Sequence, residues 1–368
     1  MAELFNQYRI GIIGGGQLGR MMVLAAKYMG YRATILDPTL DCPAVQVADE
    51  HIVGDYDDPK AIKHLTECSD VLTYEFENVD AAVLAPYEDR LPQGTKALIV
   101  AQDRINEKNF FEDLNIPIAP WAEIHCGGCL NANLTEIGYP CVLKTARGGY
   151  DGKGQVVLKS DEDKAAALEL INDYDGTLVL EGWVPFVKEI SVVISRNKRG
   201  ACSIQPVAEN IHKNNILHLT IAPARVAQNV QDEAKKLATQ IVEGLDYAGT
   251  LAIEMFLKED GSLVINEMAP RPHNSGHFSI EGTQNSQFDT HVRGIMNLAM
   301  PEVVANGQSV MLNLLGDELA QAQVRSIDEP TWHVHDYGKA EAKPGRKMGH
   351  LTIVTNDVEK TLEKLGEF

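Results

Sequence analysis

The stretch Leu251-Ala-Ile-Glu-Met-Phe-Leu-Lys-Glu-Asp-Gly-Ser-Leu-Val-Ile-Asn-Glu-Met268 decides how this chain is read. Two apolar runs, 251–257 and 263–268, flank Asp260-Gly261. Asp-Gly between alternating apolar runs signals a hairpin with a two-residue turn. Facing residues then have numbers that add up to 521, and Glu254 and Glu267 satisfy this. Two carboxylates directly opposite each other destabilise a sheet unless a cation or a shared proton separates them. Oxygen ligands beside the amide of Asn266 suit Mg2+, which keeps several waters and takes its other ligands from substrate phosphates. A register slip of one residue would turn one glutamate to solvent. A carboxylate acid–base pair of the glycosidase kind is the remaining chemistry for two facing acids.

Upstream, Gly148-Gly-Tyr-Asp-Gly-Lys-Gly-Gln155 places four glycines in seven residues, between apolar runs at 141–145 and 155–158. No Gly-Lys-Ser/Thr precedes a helix, so this is not a Walker A loop. Its backbone can approach phosphate closely and close over a ligand. Lys144, on the strand entering the loop, is a sensible phosphate partner. The plainer alternative is a flexible hairpin tip with a solvated lysine. Directly after the glutamate strand, Arg271-Pro-His-Asn-Ser-Gly-His277 adds a guanidinium, two imidazoles and an amide. Lys339, Lys343, Arg346 and Lys347 form the densest positive cluster in a chain of net charge −19. In so acidic a protein such a cluster points to a phosphate or carboxylate ligand.

The first hundred residues alternate between strand and helix patterns. Strands are predicted at 9–13, 33–36, 51–53 and 71–73, with helices at 17–29 and 60–65. This rhythm implies a parallel sheet with helices on both faces. Gly14-Gly-Gly-Gln-Leu-Gly19 fits the dinucleotide fingerprint, and Asp37 follows Gly16 by 21 residues, where an acid would hold a ribose hydroxyl. A nicotinamide cofactor is one occupant. A phosphorylated substrate suits a glycine-rich helix N-terminus equally well.

Length and composition frame these motifs. The chain has 368 residues, 44% hydrophobic and 23% charged, which suits two or three soluble domains. Its negative charge argues against nucleic acid and anionic membranes as partners. No apolar run is long enough to span a bilayer, and MAELFNQYR carries no secretory pattern, so a cytoplasmic enzyme is expected. Among six cysteines, Cys126-Gly-Gly-Cys129 follows His125, but no second pair completes a zinc motif. It reads as a glycine-rich surface loop with reduced thiols. Prolines at 117, 120 and 185 mark boundaries. They give a domain at 1–102, a linking helix (103–114) and lid at 103–184, and a larger domain at 185–368. The lid is assigned a helix at 161–171 and a strand at 177–181. The last domain is assigned strands at 189–195, 203–207, 215–220, 310–314 and 351–354, and helices at 230–245 and 287–299.

Four blocks in this order, GGGQLGRM at 14–21, GGYDGKGQ at 148–155, NEMAPRPHNSGH at 266–277 and KPGRKMGH at 343–350, resemble the ATP-grasp superfamily. Within it they resemble the 5-(carboxyamino)imidazole ribonucleotide synthetase family. The resemblance implies a three-domain α/β architecture: a Rossmann-like parallel sheet that binds no NAD, a small α+β lid and a larger C-terminal α+β domain. It implies a carbon–nitrogen ligase of purine biosynthesis that joins bicarbonate to 5-aminoimidazole ribonucleotide at the expense of ATP, through carboxyphosphate. A homodimer is implied as well. By the same resemblance, ATP would contact Arg104, Lys144, Gly149, Tyr150, Asp151, Gly152, Lys153, Gly154 and Gln155. It would also contact the hinge Glu181, Gly182, Trp183 and Val184, then Glu189, His212, Asn266 and Glu267. Mg2+ would sit between Glu254 and Glu267. The ribonucleotide would contact Gln17, Leu18, Glu75, Tyr150, Asp151, Arg271, His273, Asn274, Lys339 and Arg346, with Glu77 an alternative to Glu75. Arg271 would hold bicarbonate, Lys144 would neutralise the transferring phosphoryl group, and Asp151 or His273 would take the amine proton.

Overall fold

The short apolar runs of the first hundred residues form an all-parallel sheet. The computed structural model describes residues 8–148 and 154–366. Arg9–Ile13 lies between Arg32–Leu36 and Val71–Tyr74, and Glu50–Ile52 extends the edge beyond Arg32–Leu36. Alternate residues of Arg9–Ile13 face opposite sides. Ile10 and Ile12 pack with Leu18, Met21 and Met22 of the helix Gln17–Tyr28, while Ile13 joins Ile62 and Leu65 of the helix Pro59–Glu67. Phe288, Val292 and Ile295, from the distant helix Gln287–Ile295, complete the first of these cores.

The lid is an antiparallel sheet in the order Trp121–Ile124, Leu178–Gly182, Cys141–Thr145, Gln155–Leu158. Where a surface loop was expected at Cys126–Cys129, a helix begins and runs over Gly127–Ile137. Leu130 and Leu134, four residues apart, bury in the lid core. That burial outweighs the poor helix propensity of the two glycines. The linking helix is Arg104–Asp113. Its Phe111 packs into the core of the large sheet rather than into the lid.

The large sheet has nine antiparallel strands, with Phe186–Arg196 and Gly249–Lys258 near one end and Lys347–Thr355 near the other. Two strands of this sheet escaped the sequence pattern, Trp332–Asp336 and Ala208–Lys213, the latter because polar Glu209 and Asn210 are buried in it. Asn214 and Asn215, both at positive φ, turn it into Ile216–Ala222, the role these residues play in tight hairpins.

The decisive hairpin pairs Glu254 with Glu267, as the arithmetic requires, but by a different route. The turn holds three residues, not two: the Lys258 and Ser262 backbones bond across it, and Gly261 sits at φ +84°. From there Leu257 pairs with Leu263 and Met255 with Ile265. A bulge at Asn266 then restores the register, so that Glu254 meets Glu267 and Ile253 meets Met268. A bulge lets two successive side chains turn toward the same face, and both Asn266 and Glu267 line the central cleft.

The helix Gln287–Ile295 crosses this sheet at close range. On propensity alone, Gly294→Ala would gain about 1 kcal/mol. The added carbon would stand 2.7 Å from the Arg196 carbonyl and 3.2 Å from the Gly249 backbone, and neither can swing aside. We expect a net loss of about 1–3 kcal/mol, seen as a lower urea midpoint. An unchanged or raised midpoint would contradict the close crossing.

Candidate active site

A cleft of about 620 Å³ lies between the lid and the large sheet. Its floor is the glutamate hairpin. Burial, then the charge of Glu267, pushes Glu254 up to about 7. Nearby, the buried Glu107 accepts the Met268 N–H at 2.8 Å and is pushed up to about 8 by burial and then by Glu267. A divalent cation between Glu254 and Glu267 would relieve the repulsion and leave both charged. No group of three or more His, Cys, Asp or Glu side chains among the described residues could complete a metal site. Two carboxylates and the Asn266 amide therefore fit an ion that takes its other ligands from water and phosphate.

The lid side is basic. Lys144 donates to Glu181 at 2.9 Å, and Lys108 pairs with the other carboxylate oxygen at 3.1 Å. Burial alone would raise the Glu181 pKa, but Lys144 and then Lys108 hold it down to about 2. Arg104 reaches to 3.7 Å from Glu267. Beyond the hinge, Phe186 stacks on Phe256 at 4.6 Å with an 11° tilt, and Trp183 stays half exposed. The Gly182 and Trp183 N–H groups are already given to the carbonyls of Pro120 and Pro140. Val184 is the next backbone donor along the hinge. Glu189 and His212 form an ion pair at 3.0 Å; burial opposes the imidazole's charge, but Glu189 raises its pKa overall.

The rear wall holds Arg271, His273 and Asn274. Arg271 grips Glu77 through two nitrogens, at 2.5 and 3.3 Å. Burial would raise the Glu77 pKa, but Arg271 brings it below the ordinary value. Nδ1 of His273 accepts the Ser275 N–H at 3.3 Å, so the ring proton sits on Nε2, 3.5 Å from Glu254. Burial and then Arg271 keep this ring neutral. Nδ1 also lies 2.9 Å from the Ser275 hydroxyl. Asn274 exchanges two hydrogen bonds with Asn313, at 2.8 and 2.7 Å.

The other expected contacts stand outside the cleft lining. Lys339 donates to Gln17 and to the Lys347 carbonyl, each at 2.6 Å. Burial, then Arg346 and Lys347, pull its pKa down to about 8. A desolvated ammonium beside two further cations attracts an anion. Arg346 itself is exposed and donates to the Glu341 carbonyl. The Leu18 side chain is buried in the core of the parallel sheet, so only its backbone can meet a ligand. Gly149, Tyr150, Asp151, Gly152 and Lys153 lie outside the described residues; Gln155 lines the cleft, and Gly154 is exposed beside it.

The first glycine loop corrects the fingerprint reading. Glu75 accepts the N–H groups of Gly16 and Gly19, each at 2.5 Å, and Asp37 accepts that of Gly15 at 2.7 Å. The chain's own carboxylates fill the anion site that a pyrophosphate would need. Asp37 is bound to the loop and to Tyr56 rather than open to a ribose. Burial raises the Glu75 pKa to about 6 against the pull of the two amides.

Several cleft residues were not singled out from the sequence: Glu107, Asn215, Phe186 and Phe256, and neither was Lys108, which pairs with Glu181 from behind; Glu77 and Lys347 also line the cleft. Phe256 lies two residues from Glu254 and so on the same strand face, which the alternation signals. Lys347 belongs to the basic cluster already noted. Lys108 gives no signal, because a lysine on a helix ordinarily faces solvent.

Known proteins resemble this chain over most of its length. Family models match for a ribonucleotide synthetase preATP-grasp domain at residues 7–102, an ATP-grasp domain at 109–288 and a phosphoribosylaminoimidazole carboxylase C-terminal domain at 309–364. N5-carboxyaminoimidazole ribonucleotide synthase of Bacillus subtilis is 43% identical over 97% of this chain and 94% of its own length. A crystal structure of an N5-carboxyaminoimidazole ribonucleotide synthetase with ADP is 47% identical, covers 100% of this chain and 98% of that one, and superposes with a TM-score of 0.94. The Aspergillus clavatus synthase, crystallised with ADP and 5-aminoimidazole ribonucleotide, is 33% identical over 98% and 97% of the two chains, with a TM-score of 0.91.

The Lys108–Glu181–Lys144 triad yields a stability prediction. Removing a partner from buried charges costs about 3–5 kcal/mol, so Glu181→Gln should lower the urea midpoint markedly. The Glu181 pKa is depressed on folding, so its stabilisation is complete above the ordinary 4.5 and is lost as pH falls toward about 2. The variant should lose that part of the acid slope. A variant as stable as the parent, with the same slope, would show that the triad does not bind as described.

Proposed function

The chain belongs to the N5-carboxyaminoimidazole ribonucleotide synthase family, and from that premise we propose its reaction and the roles of its residues. It is an ATP-dependent carbon–nitrogen ligase of purine biosynthesis. It carboxylates 5-aminoimidazole ribonucleotide with bicarbonate, giving the N5-carboxylated ribonucleotide, ADP and phosphate. The observation that carries this reading is the position of Arg271. It lines the ATP-grasp cleft and is bonded to Glu77, two residues from the Glu75 that holds Gly16 and Gly19, and Gln17 in that same loop accepts from Lys339. A nucleotide half and an anion-binding half thus meet at one guanidinium.

The adenine is assigned to the slot beside Phe186 and Phe256, with the Val184 N–H as reader, and the ribose to Glu189. The phosphates are assigned to Lys144, Arg104 and the loop 149–155. Glu254 and Glu267, with Asn266, would hold Mg2+, which supplies charge neutralisation on the phosphates when bound. A bicarbonate oxygen, steadied by Arg271, attacks the γ-phosphorus, and ADP leaves. Such a transfer needs positioning and charge stabilisation more than covalent help. The ribonucleotide amine then attacks the carboxyl carbon of carboxyphosphate and expels phosphate. With His273 committed to Ser275, Asp151 is the proposed acceptor of the amine proton. The ribonucleotide phosphate is assigned to Lys339, Arg346 and the backbone at Gln17 and Leu18. The proposed working form is a cytoplasmic homodimer, and no described helix is long and apolar enough to cross a membrane.

Two variants test the division. Glu267→Gln should reduce ATP turnover at saturating Mg2+ by more than about a hundredfold, within the range seen for electrostatic groups in active sites, with no loss of thermal stability. Near-normal turnover would remove the cation from this hairpin. Arg346→Ala should raise the KM for the ribonucleotide about tenfold or more, the weight of one charge-assisted contact, and leave the KM for ATP unchanged. Equal changes in both would move the basic cluster away from the substrate phosphate.

A further inference from the structure

Cys126 and Cys129 line neither half of the site. Cys126 caps the helix Gly127–Ile137 from an extended backbone, and its Sγ accepts the Cys129 N–H at 3.2 Å. The two thiols are hydrogen-bonded to each other at 2.7 Å. Cys126 is exposed, while Cys129 is half-buried against the lid core. Gly127 gives its space to Leu168, whose Cδ2 lies 2.7 Å from where a Cβ would stand, and a Cβ at Gly128 would come only to 3.8 Å from the Cys126 sulfur.

The environment sorts this pair from the other cysteines. The contact with the Cys129 thiol, then the backbone N–H groups of Cys129 and Gly128, hold the Cys126 pKa below the usual thiol value. Burial pushes the thiols of Cys42, Cys141 and Cys202 the other way. The thiolate is the nucleophile in sulfur exchange, so an exposed thiol with a lowered pKa is the reactive one. A metal does not explain the pair. His125 faces Glu123 at 3.3 Å, and no described group of three or more ligating side chains includes these sulfurs.

We propose that Cys126 and Cys129 are a reversible redox site on the lid that reacts with low-molecular-weight disulfides. The Cys126 thiolate attacks one sulfur of the small disulfide. A protein–ligand S–S bond forms as the ligand's own S–S bond breaks, and one small thiolate leaves. Cys129, its proton passing to solvent, then attacks the Cys126 sulfur and expels the second small thiolate. The protein gives up two electrons and two protons, and the small disulfide leaves as two thiols. Cys126 is the attacking sulfur and Cys129 the resolving one, because only Cys126 is open to a partner.

The test treats the reduced full chain with glutathione disulfide and maps its thiols by mass spectrometry. Two of the six thiols should be lost, both from the peptide holding Cys126 and Cys129, and dithiothreitol should restore them. Cys129→Ser should stop at a mixed disulfide on Cys126. Cys126→Ser, which keeps a good helix cap, should react at Cys129 more than about tenfold more slowly than the parent does at Cys126. The proposal is overturned if the peptide keeps both thiols. It is also overturned if Cys129 reacts at the parental rate in Cys126→Ser, or if Cys129→Ser forms no adduct.

Discussion

Two carboxylates fixed across adjacent strands repel each other, and the centre of this molecule is built on that repulsion. Glu254 and Glu267 are held in register by a sheet whose strands also carry the core. Neither can swing away without breaking the ladder that joins Phe186–Arg196, Gly249–Lys258 and Leu263–Ala269. The fold keeps the pair, and the raised proton affinity of Glu254 and Glu107 records the strain it places on the cleft floor. A site so loaded with acid favours a cation and, through it, polyphosphate. The basic Lys144 of the lid faces the same cleft, with Lys108 of the linking helix behind it, and both are neutralised by Glu181.

The same device of internal partners recurs across the candidate site. Glu75 and Asp37 occupy the amides of the first glycine loop, Glu77 holds Arg271, and Glu189 holds His212. Each pairing fixes a side chain where a ligand will need it. Pairing also sets the direction in which selectivity runs. The first loop is closed to a pyrophosphate, so a fingerprint that fits a dinucleotide by spacing works here as a brace between a helix and two strands.

Much of this was legible in the sequence, and the failures have physical causes. The parallel strands followed from apolar runs punctuated by glycine. The facing glutamates were found by a two-residue turn and a regular ladder, whereas the chain uses a three-residue turn and a bulge at Asn266. The two departures cancel from Glu254 and Glu267 onward but not between the turn and the bulge, so pairs such as Met255 and Ile265 fall one residue from the simple register. Glu75 binding to Gly16 and Gly19 joins positions more than fifty residues apart, which no local pattern encodes. The helix after Cys126 was missed because two glycines hide it, and tertiary burial of Leu130 and Leu134 supplies what propensity lacks. The strand Ala208–Lys213 was missed because its buried Glu209 is neutralised by Lys188 and Arg225, both distant in sequence.

The central claim is that one continuous site couples ATP cleavage to carboxylation of a ribonucleotide amine. The most direct measurement is the rate of ADP release with ATP, Mg2+ and bicarbonate, with and without 5-aminoimidazole ribonucleotide. The account predicts strong stimulation by the ribonucleotide that disappears when bicarbonate is removed. ADP release indifferent to the ribonucleotide would contradict the coupling and leave only a nucleotide-binding cleft.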